Sequence, residues 1–266
     1  MTLISHPPLL QLRGISKHFG AVQALIDVDF DVCAGEVVGL VGDNGAGKST
    51  LVKGISGIFP FDAGEYIFES RRQIIRSPQD VVRLGIETVY QDLALCDNLD
   101  VVANLYLGRE NSVKQHTNPL AAVDEIAMEK RTLDVLHGLA VELPNVRVKT
   151  AALSGGQRQA VAVARAVMWN SKLVLLDEPT AALGMVQTRQ VLDLIQRLRK
   201  QGLGVVVVSH QLATIFEMCD RIVVLRLGRN GGNFVAQAAS FDQIVTAITG
   251  NGFSNENGFR DRTQAG

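Results

Sequence analysis

The sequence is short of several things, and each shortage excludes a class of protein. Three cysteines, Cys33, Cys96 and Cys219, lie far apart in 266 residues with no Cys-x-x-Cys pair. A disulfide framework or zinc site is therefore not expected, a reducing compartment is, and all three read as packing residues. No uninterrupted apolar run approaches the ~18 residues a membrane-spanning helix needs. The opening MTLISHPPLLQLRG lacks a basic start followed by a sustained apolar core, so no export signal is expected. Charge excess is missing too: 26 basic and 27 acidic residues leave no electrostatic footprint for nucleic acid. Aromatic residues are only 5% of the chain while 47% is apolar, a balance that suits an α/β protein with a full core.

What is present centres on EVVGLVGDNGAGKSTL, Glu36 to Leu51. Val37, Val38, Leu40 and Val41 suit a strand buried on both faces, and Gly42, Gly45 and Gly47 allow backbone shapes that a Cβ would forbid. Gly42, four residues, then Gly47-Lys48-Ser49 is the spacing of a phosphate-binding loop. In such a loop the backbone of Asp43, Asn44, Gly45, Ala46 and the following helix start through Thr50 faces the anion, Lys48 supplies a point charge and Ser49 reaches Mg²⁺. The plainer alternative is a Gly-rich turn before a helix.

Around this loop the pattern alternates. Val28, Phe30 and Val32 interleave with Asp27, Asp29 and Asp31, the mark of a strand with one wet face, so Leu9 to Val32 is expected to be antiparallel β structure. A helix over Ser49 to Ile58, short strands over Glu65 to Ile75, a helix capped by Ser77 with Pro78 first, and a strand over Ile86 to Tyr90 follow. From Asp92 to Leu139 the β signal disappears. Ile126, Leu133, Leu136 and Leu139 predict a half-buried amphipathic helix within Pro119 to Leu139, and Asn111 to Asn118 a surface loop. A helix over Gln159 to Met168, a buried strand Leu173 to Leu176, a helix with Leu192, Ile195 and Leu198 inward, and buried strands Val205 to Val208 and Ile222 to Leu225 come next. Such alternation argues a parallel sheet. Ser240 with Gln243 predicts a capping box for a last helix over Phe241 to Ile248, and 251–266 reads as a loose tail.

Four further segments fall where strands of this sheet would end or a helix begin: Gln91, Leu153-Ser154-Gly155-Gly156-Gln157, Asp177-Glu178 and His210. Together with the phosphate loop, and with LSGGQ placed between it and LVLLDEPT, they resemble the ATP-binding cassette of ABC proteins from about Leu10 to Gly250. The resemblance implies an α/β P-loop NTPase core with a mostly parallel sheet, an N-terminal antiparallel β subdomain and an inserted helical subdomain over about 92–165. It implies ATP as substrate with Mg²⁺, and Asp177, Ser49 and Gln91 near the metal. Glu178 would be the general base, and His210 the switch histidine at the γ-phosphate. Ser154, Gly155, Gly156 and Gln157 would close over ATP held by a second cassette, giving two sites per two-fold dimer if the partner is another copy. Phe19 resembles the aromatic that stacks on adenine, its alternative being a core residue. Alone, Gln91 would read as a solvated loop glutamine and His210 as an unremarkable strand-end histidine; His6, His18, His116 and His137 read as surface residues.

One departure stands out. Where the family usually has Ser-Ala-Leu-Asp after DEPT, this chain has Ala181-Ala182-Leu183-Gly184. The stretch Tyr90 to Glu110 is similar to that of ATPases from bacterial monosaccharide importers of the ribose, xylose and fructose type. That likeness implies a peripheral position on the cytoplasmic face of the inner membrane, beneath a permease fed by a periplasmic sugar-binding protein, with Asp92 to Leu107 in the permease-binding groove. Two rivals are a soluble ABC ATPase acting on nucleic acid or ribosomes, and a non-hydrolysing regulatory subunit.

Overall fold

The computed structural model describes residues 7–109 and 124–250. β1 (Leu10–Phe19) and β2 (Val22–Val32) pair antiparallel around Gly20. Val28, Phe30 and Val32 are buried as their alternation requires, but the opposite face is wet only at Asp27. Asp29 accepts a hydrogen bond from Gly14 N at 2.8 Å, and Asp31 pairs with Arg221 at 3.1 Å. β3 (Val37–Val41) follows, then α1 (Lys48–Ile55), which ends three residues before the sequence pattern implied because Gly57 turns with φ 72°. β4 (Ala63–Phe68) and β5 (Arg71–Gln73) return to β1, completing a four-stranded sheet in the order β2-β1-β4-β5.

The second sheet is built after α2 (Pro78–Arg83), whose Ser77–Asp80 capping box is formed. It contains β6 (Ile86–Val89), β7 (Leu173–Asp177), β8 (Gly204–Val208), β9 (Arg221–Arg226) and β10 (Arg229–Val235), ordered β10-β9-β3-β8-β7-β6. β3 and β6 to β9 run parallel; β10 is an antiparallel edge. β10 was not anticipated, because Arg229-Asn230-Gly231-Gly232-Asn233 has neither alternation nor β-branched residues and is held by pairing with β9.

Alternate residues of the parallel strands serve two different layers, as a period of two demands. Val38, Leu40, Leu175, Val206 and Val208 pack with the antiparallel sheet and α1. Val37, Val41, Val174, Leu176, Val205 and Val207 pack with the helices on the other side. Those helices are α3 (Val101–Tyr106), α4 (Glu125–Gly138), α5 (Gly155–Val167) and α6 (Met185–Lys200), with α7 (Leu212–Met218) and α8 (Phe241–Thr249) at the β9 end of the sheet. The capping box Ser240–Gln243 and the left-handed Gly250 bound α8 as expected.

The inward stripe of α4 needs correction. Ile126 is 84% exposed and Leu133 49% exposed; Met128, Thr132 and Leu136 face inward instead, and Leu139 is buried just past the helix. Charged residues interrupt this helix so often that its few apolar positions did not fix the phase. α5 also starts earlier than expected, at the signature itself. Of the cysteines only Cys219 is buried, Cys33 and Cys96 being partly so. The expected loop Asn111 to Asn118, the tail 251–266, His6 and His116 lie outside the described residues.

Candidate functional site

The phosphate loop leaves the C-terminal end of β3 and delivers α1. Gly42 has φ 150°, and a Cβ there would overlap the Leu225 carbonyl of β9. Gly47 has φ 102°, and its Cβ would fall 2.7 Å from the Ala24 carbonyl oxygen. Both glycines are therefore required by close approach to neighbouring strands as well as by φ, whereas Gly45, φ 79°, faces open space and answers to φ alone. Asp43, Asn44 and Ser49 are exposed, Ala46 is buried, and Thr50 is half-buried. Lys48 Nζ donates to the carbonyls of Gly42 at 2.6 Å and Asp43 at 2.9 Å. Burial holds the lysine pKa below its ordinary value, against the pull of Glu178, Asp43 and Asp177 in its surroundings.

The ends of β7 and β8 bring the other polar groups to the same rim. Asp177 closes β7, and burial together with the neighbouring Glu178 raises its pKa, while Lys53 and Lys48 oppose the shift. Glu178 sits in the left-handed region at φ 49°, with its N–H donating to Val208 O at 2.9 Å. That backbone is costly for a non-glycine residue, by roughly 1–3 kcal/mol, and strain of this kind concentrates at functional sites. Its Oε1 accepts from His210 N at 3.1 Å and lies 2.9 Å from His210 Nδ1, so Nδ1 carries the hydrogen when the carboxylate is ionised. Glu178 Oε2 is buried with no hydrogen-bond partner among the described residues. Gln91 is exposed in the turn that follows β6, the sheet's other edge strand.

Lys48, Asp177, Glu178 and His210 are thus one constellation at the C-terminal ends of adjacent strands, where open α/β sheets bind ligands. The signature does not join it. Ser154 caps α5: its Oγ accepts from Gln157 N at 3.3 Å while Gln157 Oε1 accepts from Ser154 N at 3.0 Å. Gly155 and Gly156 let this helix end close on Leu183 and Gln187, each at 3.1 Å from a would-be Cβ. Gly184 caps α6 with extended backbone, φ −73° and ψ 167°, and its N–H donates to Gln187 Oε1 at 3.0 Å.

Phe19 is 48% exposed at the end of β1, which removes the core-residue alternative. It meets Phe59 edge to face at 5.2 Å between centroids, and Lys17 Nζ lies 5.4 Å from its ring. Lys17 is held by Asp62 at 2.8 Å and by the Pro60 carbonyl. Phe59, Lys17 and Asp62 were missed in the sequence, although Phe59-Pro60-Phe61 breaking a helix after the phosphate loop is a visible signal.

For a divalent cation the donor set is apt. Ser49, Asp177 and Gln91 offer hard oxygen ligands, and among the described residues no group of three or more His, Cys, Asp or Glu forms a cage. Few protein ligands, with substrate phosphates supplying the rest, is how Mg²⁺ is bound. Among the described residues no helix is long and apolar enough to cross a membrane.

Residues 25–181 match the family model described as ABC transporter. The chain is 48% identical over 241 residues to the xylose/arabinose import ATP-binding protein XylG of Sulfolobus acidocaldarius, covering 91% of this chain and 94% of that one. It is 44% identical over 228 residues to the fructose import ATP-binding protein FrcA of Rhizobium meliloti, covering 85% and 88%. It is 40% identical over 260 residues to the ribose import ATP-binding protein RbsA 1 of Rubrobacter xylanophilus, 97% of this chain but 50% of that one. The structure resembles the dimeric ABC transporter cassette MJ0796, with TM-score 0.72, 26% identity, and coverage of 85% and 98%. A family match over most of the chain and near full-length relatives agree with the geometry: this chain belongs to the ABC transporter family, as one of its ATP-binding cassettes.

Proposed function

We propose that this chain is the ATP-hydrolysing subunit of an importer for monosaccharides, driving uptake through a membrane permease. Near full-length identity of 48% and 44% to two sugar import ATP-binding proteins is the single observation that carries the transport reading. For hydrolysis the support lies in Glu178, a carboxylate ordered by His210 and adjacent to Asp177. Residues 1–250 form the cassette in this reading, with about 92–165 as its helical subdomain and 251–266 as a tail.

The chain's own groups divide the work. Backbone N–H groups of Asp43 to Thr50 and the start of α1 bind the phosphates, and Lys48 turns from its loop carbonyls toward the anion. Phe19 offers a ring face for adenine. Ser49, Asp177 and Gln91 would hold Mg²⁺, which would neutralise charge on the phosphates. Glu178 accepts the proton of the attacking water, its carboxylate oriented by His210 through Oε1. Ser154 to Gln157 act on ATP bound by a second cassette, taken to be another copy of this chain. A periplasmic sugar-binding protein would feed the permease, and the assembly would sit at the cytoplasmic face of the inner membrane.

Uptake of labelled monosaccharides in cells whose own copy is replaced by Glu178→Gln tests the reading. Loss of uptake of one pentose or hexose, restored by the unmodified chain, is the expected result. Unchanged uptake of every monosaccharide tried contradicts it.

A further inference from the structure

The loop that carries Gln91 is tied to the helix that carries the signature by two arginines. Arg165, near the C-terminal end of α5, donates from Nη1 to Ala94 O at 2.6 Å and from Nη2 to Leu93 O at 3.0 Å. Arg158, two turns earlier on the same helical face, donates from Nη2 to Asp97 Oδ1 at 2.5 Å. Beyond them, fully buried Asn104 accepts from Cys96 N at 2.7 Å, and Thr150 donates to Cys96 O at 2.8 Å. Residues 93–97 are thus fastened along their length to α5 and its surroundings, while Gln91 at the near end is exposed.

Two features mark Arg165 as more than a surface cation. Its guanidinium is partly buried, that burial holds its pKa down against the pull of Glu87 and Asp92, and among the described residues its hydrogen-bond partners are two carbonyls. These belong to Leu93 and Ala94, which hold left-handed backbone at φ 59° and 44°. Successive non-glycine residues keep that shape only where the surroundings over-determine it. The planar fork of arginine suits two adjacent carbonyls, and lysine offers no equivalent.

We propose that Arg165 is a positioning residue for Gln91: it fixes the loop in the shape that presents Gln91 and makes that loop one body with the signature helix. The proposal rests on the reading of Gln91 as a Mg²⁺ ligand, and the test separates the two.

The measurement is the Mg²⁺ concentration that half-saturates binding of a fluorescent ATP analogue, together with hydrogen exchange of the amides in 93–97, for Gln91→Ala, Arg165→Ala and Arg165→Lys. Loss of a group that orients a metal ligand typically weakens metal binding about 10- to 100-fold. Gln91→Ala and Arg165→Ala should each raise the half-saturating Mg²⁺ about tenfold, with Arg165→Lys between them and unmodified protein. Only the Arg165 variants should speed exchange in 93–97, and the double variant should be no worse than Gln91→Ala, since both act through one ligand. If Gln91→Ala raises the Mg²⁺ requirement and neither Arg165 variant does, the positioning role is overturned. A Gln91→Ala with unchanged requirement overturns the ligand reading and the proposal with it. Should Arg165→Ala not fold, Arg165→Lys keeps the charge and decides the matter by the same comparison.

Discussion

The phosphate loop and the signature, the two elements proposed to bind anions, are built in opposite ways. Gly42 and Gly47 are wedged against carbonyls of Leu225 and Ala24, and Lys48 bonds the loop to itself, so the phosphate loop is shaped by strands on both sides. Ser154 and Gly155 are exposed, and Ser154 and Gln157 are engaged with each other in the signature's own capping box. A loop shaped from all sides is ready for a ligand alone. A helix end that is packed behind at Gly156 but open to solvent at Ser154 and Gly155 needs something brought to it. The difference is the design expected if, as proposed, the signature of one copy must meet the phosphate loop of another to make a whole site.

The contrast can be broken from either side. Glu178→Gln removes the proposed base but leaves the phosphate loop intact, so ATP turnover should fall about 10²- to 10⁴-fold while nucleotide affinity holds; steady-state hydrolysis and nucleotide titration check both halves. Gly42→Ala attacks the wedged loop. Its methyl group has no room against Leu225, so a loss of roughly 1–3 kcal/mol in unfolding free energy and of nucleotide binding should appear in denaturant and binding titrations. Ser154→Ala strikes the looser element and should remove only the cap, about 1 kcal/mol by denaturant titration.

Gly184→Asp is a smaller change with the opposite sign. The extended backbone and open surroundings at this helix cap accept a side chain, and aspartate is a better cap than glycine by a few tenths of a kcal/mol, so the protein should become slightly more stable. Smallest of all is Asp62→Asn, at the partner of the Lys17 that lies over the Phe19 and Phe59 rings. The hydrogen bond from Lys17, then that from His18 N, hold the Asp62 pKa below its usual 3.8. A depressed carboxylate pKa contributes stability above the unfolded value, and that stability is lost as pH falls through the folded one. The variant should therefore melt lower than unmodified protein at neutral pH, and the two should converge in acid.

The site was legible in the sequence where chemistry demands particular residues at fixed spacing. A phosphate loop needs glycine where strands crowd it, and Asp177-Glu178 and His210 needed only buried runs, Leu173 to Leu176 and Val205 to Val208, to place them on neighbouring strand ends. Legibility failed where structure is set from a distance. β10 exists because β9 pairs with it, and the phase of α4 depends on which face α3 and α5 cover. Phe59 reaches Phe19 only when β4 pairs with β1, and Arg165 meets carbonyls about seventy residues earlier in the chain. No local pattern announces such contacts.

The most direct test of the two-half-site account is the solution mass of Glu178→Gln by light scattering, with and without ATP and Mg²⁺. The account expects a monomer that doubles in mass when ATP is added, because uncleaved nucleotide on each phosphate loop is covered by the other copy's Ser154 to Gln157. A protein that binds ATP to saturation and stays monomeric would contradict it.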